Sequence, residues 1–201
     1  MASLLLITIV CTTPRLALAN ETESIVLVDP TLVISAEAGW VAQAEVQVKL
    51  SPVLIEAVKR GVSLYFVSEF ELRKNRWWWL DKKIFSQAKT VRLSYHAVTQ
   101  QYRVAVGGLH QAAFEDLEAA LSASVGMRGW RLKDAGETVD TEGLDLVKDA
   151  ATLEPRIRVR LDSAQLPKPL QVNAITNRDW NLSSEWVAPK LVIQKSGAPS
   201  Q

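Results

Sequence analysis

The sequence predicts a mainly β protein: an antiparallel β-sandwich, immunoglobulin-like in general type, with two short helices. Three observations predict it. Apolar and polar residues alternate one by one in three stretches, from Trp40 to Leu50, from Val62 to Arg73 and from Val91 to Val106. Successive side chains on a strand point to opposite faces, so each stretch has one oily face and one wet face. Only two stretches carry capped apolar residues at helical spacing, and the junctions between strands are short and polar, as antiparallel neighbours require. An α+β arrangement of sheet and helices is the second choice.

Taken in order, Ile25–Val28 is a short apolar strand ended by Asp29-Pro30, and Thr31–Ser35 is a second short run. Gly39 supplies a hairpin position where positive φ is easy. Trp40, Ala42, Ala44, Val46, Val48 and Leu50 then form the longest alternation in the chain. Ser51-Pro52 opens a helix, because Ser is a favoured N-cap and Pro at the first helical position gives up no hydrogen bond. Gly61 stops it. Val62, Leu64, Phe66, Phe70 and Leu72 make the oily face of the next strand, and Ser63, Glu69, Glu71 and Arg73 the wet one. Val91, Leu93 and Tyr95, and then Tyr102, Val104 and Val106, repeat the device. The segment from Asn75 to Lys83 between them reads as a loop or a bent strand end.

Gly107-Gly108 ends the sheet run, and Phe114, Leu117, Ala120 and Leu121 recur at helical spacing. Glu115, Asp116 and Glu118 stand where the helix macrodipole favours acids. Trp130 and Leu132 suggest a short strand, and 133–142 a polar loop. Arg156–Leu161 alternates three arginines with Ile157, Val159 and Leu161. After the rigid Pro167-Lys168-Pro169, alternation returns at Leu170, Val172 and Ala174, and Leu191–Ile193 reads as a last short strand.

The domain organisation predicted is a signal peptide over 1–19, one β-rich domain over 20–193 and a polar, disordered tail over 194–201. Ser3–Cys11 is an apolar run of signal-peptide length, and Ala17-Leu18-Ala19 supplies the small-x-small cleavage pattern. Pro14 and Arg15 interrupt the run well short of the ~20 residues a membrane span needs. The expected location is the periplasm, with no transmembrane helix in the mature chain. Cys11 is the single cysteine, so cleavage after Ala19 leaves a chain with no disulfide, no thiol nucleophile and no cysteine metal site. Formal net charge is +1, and Arg15 in the leader carries it. A balanced remainder excludes a broad nucleic-acid footprint, which needs clustered cations.

Several segments carry a resemblance. They are Leu50-Ser51-Pro52, Arg60-Gly61-Val62, Glu69-Phe70-Glu71-Leu72, Leu93-Ser94-Tyr95-His96-Ala97, Gly107-Gly108-Leu109-His110-Gln111, Leu166-Pro167-Lys168-Pro169 and Trp180-Asn181-Leu182. With them the chain resembles an exported domain-of-unknown-function family of proteobacteria, typically encoded beside a membrane sensor histidine kinase. The resemblance implies export, an envelope setting and a link to sensing. It implies no catalytic residues.

The residues point to little chemistry of their own. His96 and His110 lack metal-ligand spacing, and a surface role or a local hydrogen bond is the plainer reading. No nucleophile elbow, phosphate loop or dinucleotide fingerprint is present, and no cofactor or metal is implied. Glu69 and Glu71 share a strand face about 7 Å apart. Two such carboxylates suit glycoside hydrolysis. The alternative, favoured here, is a wet face paired across the sheet with Arg73, Arg92 or Arg103. Arg156, Arg158 and Arg160 fit an anion site, or a protected solvated edge. Trp77, Trp78 and Trp79 cannot all face one way on a strand, so at least one is expected to meet a partner or solvent. Arg73 and Arg76 flank them with cation–π options.

The function expected is therefore an exported, non-catalytic binding or interaction module of the envelope, accessory to a sensor-kinase system. Its candidate patch is Trp77, Trp78, Trp79, Arg73 and Arg76, and its partner an envelope protein or glycan. The alternatives are an envelope-polymer hydrolase using Glu69 and Glu71, and a carrier of lipid or another small ligand.

Overall fold

The computed structural model describes residues 24–35, 39–74, 82–107, 110–134 and 152–194. The leader over 1–19, the tryptophan run Trp77–Trp79 with Arg76, most of the 133–142 loop and the tail beyond Gln194 lie outside the described residues. In chain order the elements are β1 (Ser24–Ser35), β2 (Gly39–Lys49), α1 (Pro52–Lys59), β3 (Leu64–Lys74), β4 (Lys82–His96), β5 (Gln101–Val106) and β6 (His110–Phe114). There follow α2 (Leu117–Val125), β7 (Met127–Lys133), β8 (Leu153–Leu161), α3 (Lys168–Thr176) and β9 (Lys190–Gln194).

The strands form two sheets, ordered β7-β2-β1-β9 and β6-β5-β4-β3-β8. All pairings are antiparallel except β1 with β9. The expected two-sheet architecture is present, and its alternation is the one read from the sequence. Leu64, Phe66, Phe70 and Leu72 of β3 are buried, and so are Ala42, Ala44 and Val46 of β2. The two inner faces meet through aromatic rings. Trp40 of the first sheet stands edge-on to Phe85 of the second at 5.9 Å, and Phe85 contacts Phe70 at 6.0 Å. Burying each such side chain stabilises the fold by roughly 1.5–3 kcal/mol.

Local signals set the ends of α1. The Ser51 hydroxyl accepts the Leu54 N–H at 3.2 Å, Pro52 takes the first turn, and Gly61 adopts φ +90 just beyond the last turn. Leu54, Ala57 and Val58 are its buried stripe. In α2 the Asp116 carboxylate accepts the Ala119 N–H at 2.7 Å. This helix packs across β5 and β4 of one sheet and beside β2 of the other.

Several sequence expectations are corrected. Asp29-Pro30 does not end a strand. Asp29 takes φ +47 and the β1–β2 register shifts between Val28 and Thr31, so one long strand carries a bulge. A bulge is where a residue without an N–H disturbs the ladder least. Gly107-Gly108 does not end the sheet run, because β6 follows it; Phe114 closes that strand rather than starting the helix, and α2 starts only at Leu117. The alternation at Leu170, Val172 and Ala174 belongs to α3, a third helix, and not to a strand. Residues two apart also contain a pair four apart. Leu170 and Ala174 pack inward as such a pair, while Val172 is 64% exposed.

Candidate functional site

On the outer face of the second sheet, β3 and β8 run antiparallel with Glu69 opposite Arg158 and Glu71 opposite Arg156. Directly opposed side chains share a face, so the wet residues of the two strands are forced together. Glu69 accepts from Arg158 Nε at 2.8 Å and from Arg160 Nε at 3.0 Å, one on each carboxylate oxygen. Glu71 accepts from Arg156 Nε at 3.0 Å, Arg73 Nε at 3.3 Å and Lys83 Nζ at 3.4 Å. Arg160 also reaches Asp162 at 3.2 Å. Burial pushes the Glu71 carboxyl up, but hydrogen bonds and charge from Arg156 and Lys83 outweigh it and hold it below the usual carboxylate range. Asp162 is likewise held low, since hydrogen bonds from Gln165, Arg160 and the Ala164 backbone and the Arg160 charge together overcome its burial.

Of the three arginines expected to pair with the two glutamates, Arg73 does. Arg92 and Arg103 do not, because the register sets Arg92 against Tyr65 and Ala105, and Arg103 against Ser94 and Ala113. The arginines of β8 take their place. The free edge of β8 is covered by the segment from Leu182 to Val187. The Leu161 N–H donates to the Leu182 carbonyl at 2.7 Å, and Ile157 and Val187 exchange bonds of 2.8 and 2.9 Å. This segment carries Trp186 over the Arg156 and Arg158 guanidiniums, at 4.2 and 4.5 Å from the ring centre. Sequence reasoning missed Trp186. Its only signal was a tryptophan in a turn-rich stretch, with nothing to place it over the arginine row.

His96 closes the β4–β5 turn, its Nδ1 3.1 Å from the Thr99 hydroxyl. Among the described residues no group of three or more His, Cys, Asp or Glu could hold a metal ion, and no helix is long and apolar enough to cross a membrane.

Among the concave features of the described residues, two stand out by volume. A cleft of about 890 Å³ lies between β2 and α2, walled by Ala44–Val48 on one side and by Ala119, Ser122 and Ala123 on the other. Glu118 and Arg128 also line it. A smaller apolar groove of about 490 Å³ lies between α1 and α3, against Val53, Leu170 and Trp180.

The fold and these surfaces define, among the described residues, a two-sheet, mainly antiparallel β protein with three short α-helices. Residues 23–188 match the Domain of unknown function (DUF4390) family, and the chain belongs to that family. No curated protein and no solved structure matches the chain.

Proposed function

We propose that this protein is an exported, non-catalytic interaction module of the cell envelope, accessory to a sensor-kinase system, and that the β2–α2 cleft is its recognition surface. The observation that carries this reading is a contrast between two places on the molecule. The paired carboxylates Glu69 and Glu71 lie along a sheet face, each engaged by at least two cations, which favours a structural role for them over acid/base work. The β2–α2 cleft is larger than the α1–α3 groove, and Glu45, Glu118 and Arg128 stand among the strand residues and small side chains that wall it. Converging titratable groups mark a catalytic pocket. Export rests on the apolar run Ser3–Cys11 followed by Ala17-Leu18-Ala19. The sensor-kinase link rests on the family resemblance alone.

Expression of the full chain in a proteobacterial host tests the reading. The recovered protein is fractionated and its N-terminus sequenced, and a photo-crosslinking residue is placed either at Ser122 in the cleft or at Thr99 in the remote β4–β5 turn. The expected result is a periplasmic protein beginning at Asn20, with a discrete envelope adduct from position 122 and none from 99. A cytosolic protein with its leader intact overturns export. The same adducts from both positions, or none from either, overturn the cleft as the recognition surface.

A further inference from the structure

We infer that the seam between β4 and β7 takes an extended, acidic peptide segment of a partner protein, added to the second sheet as a strand along β4 from Lys83 to Thr90. This surface is separate from the β2–α2 cleft and stands or falls without it.

Strand β4 is fifteen residues long, and β3 pairs with it from Lys82 to Leu93. On its other side β5 pairs with it only from Val91 to His96, because β5 ends at Val106 and Gly107 turns the chain away with φ +58. From Lys83 to Thr90 no strand pairs with that side among the described residues. Backbone groups alternate in direction along a strand, so every second residue there aims its N–H and C=O away from β3. Such groups require partners when they are withdrawn from water. The stretch makes roughly 27 Å of strand.

Burial follows the ladder. Where β5 covers β4, the inward residues Val91 and Leu93 are 1% and 0% exposed. Where β5 stops, Phe85, Gln87 and Lys89 of the same inward row are only half-buried, and the outward Ser86, Ala88 and Thr90 are exposed. Helix α2 does not fill this place. It begins at the opposite end of β4, three residues after Phe114, which lies opposite Tyr102, itself opposite Tyr95. Gln87 is roughly 27 Å further along β4 than Tyr95, whereas the 9 residues of α2 span roughly 14 Å.

Inward of the stretch lies a space of about 380 Å³, walled by Phe85 and Gln87 of β4 and by Arg131, Leu132, Lys133 and Asp134 at the end of β7. The inward side chains of an added strand would enter it. Gln87 Oε1 is the one buried side-chain polar atom among the described residues without a hydrogen-bond partner. A buried acceptor left unmet costs about 1–3 kcal/mol, so this oxygen calls for an N–H or O–H donor. Phe85 and Leu132 suit an apolar neighbour. Arg131, Lys133 and Asp134 line the space and Lys89 follows Gln87 in the inward row, which sets three cations against one carboxylate. A segment of complementary charge is acidic. A lipid chain would give the β4 edge no main-chain partners, whereas strand addition supplies them and lets alternate side chains give specificity.

The probe is a synthetic library of alternating peptides rich in Asp and Glu and long enough to span 83–90, selected on the immobilised full chain. The selected peptides are measured by fluorescence anisotropy against the wild type, Gln87→Leu and Lys89→Glu, with folding checked by circular dichroism. The expected result is affinity about fivefold weaker for Gln87→Leu and about tenfold or more weaker for Lys89→Glu. N-methylation of alternate peptide amides should cost about tenfold in one register and little in the other. Because it changes only the peptide, it decides the matter where a variant folds poorly. Amide exchange at 83–90 should slow on binding, while that of 45–49 and of the 97–100 turn stays unchanged. Equal binding to all three proteins, indifference to N-methylation in both registers, protection at 45–49 in place of 83–90, or failure to select any peptide overturns strand addition to β4.

Discussion

Trp186 lies over Arg156, with the guanidinium carbon 4.2 Å from the ring centre, while the same guanidinium donates to Glu71 through Nε at 3.0 Å. The indole thus closes one side of an ion pair that sheet register closes on the other. A cation over an aromatic face is worth about 0.5–2 kcal/mol, more as water is excluded. Trp186→Ala is expected to lower stability by about 1–2 kcal/mol, because Arg156 and Arg158 lose the ring together. Trp186→Phe should recover part of that. Denaturant midpoints of the three proteins check it, and an unchanged midpoint for Trp186→Ala would mean the ring shields nothing.

Glu71 gives the pH dependence of the same network. Its folded pKa is depressed below the ordinary value of 4.5, so the unfolded state binds the proton more readily. Its contribution is therefore complete above pH 4.5 and is lost as pH falls through the folded pKa. Glu71→Gln is expected to cost about 1–3 kcal/mol at neutral pH, a range set by charge-assisted hydrogen bonds. The gap between variant and wild type should narrow as the pH drops below 4.5. Asp162, also held low, keeps some acid sensitivity in the variant. Urea unfolding from pH 7 to pH 3 checks both the sign and the window, and a gap constant with pH would remove Glu71 from the account.

Lys89 has the opposite logic. It lies on the inner side of β4, opposite the buried Ser68, and burial lowers its pKa below 10.5. A lysine that protonates less readily when folded leaves the unfolded state holding more protons. Stability from this group accordingly rises with pH until the unfolded value is passed. Lys89→Met is expected to stabilise the protein slightly at neutral pH, by less than ~1 kcal/mol because the half-exposed ammonium is screened by solvent, since an apolar side chain there has no charge to desolvate. The variant should also lack the wild type's gain in stability between neutral pH and 10.5. Thermal melts over that range decide it, and a destabilised variant would show that the ammonium has a partner worth keeping.

How far the sequence could be read depends on how local each cause was. The strand faces of β3 were legible because alternation is a property of the strand itself. The start and stop of α1 were legible because Ser51, Pro52 and Gly61 sit within one or two residues of what they control. The partners of Glu69 were not. Arg158 and Arg160 lie 89 and 91 residues away, and only sheet register brings them opposite. The β2–α2 cleft was illegible for the same reason, since it exists because the β7 ladder stops at Ala44. α3 was misread because three apolar residues two apart fit either period, and only packing against Leu170 and Ala174 chooses between them.

The last prediction concerns a residue that is legible locally and also acts at long range. The Ser51 hydroxyl accepts the Leu54 N–H at 3.2 Å and donates to the carbonyl of Asp179 at 3.2 Å, a residue 128 positions away. It therefore caps α1 and ties the start of that helix to the segment before Trp180. Loss of an N-cap costs typically about 1 kcal/mol and up to about 2. Here the Asp179 carbonyl loses its donor as well, so Ser51→Ala should fall toward the upper end, about 1.5–2 kcal/mol. Ser51→Thr keeps an oxygen that can both accept and donate, and it should cost less than about half as much. Amide exchange separates the two roles. Faster exchange confined to Leu54 and Ile55 would mean the cap alone was lost. Faster exchange at Trp180 too, whose N–H bonds to the Asn177 carbonyl at 3.3 Å, would show that the distant tie was lost with it. Equal stability of Ser51→Ala and the wild type would refute both roles at once.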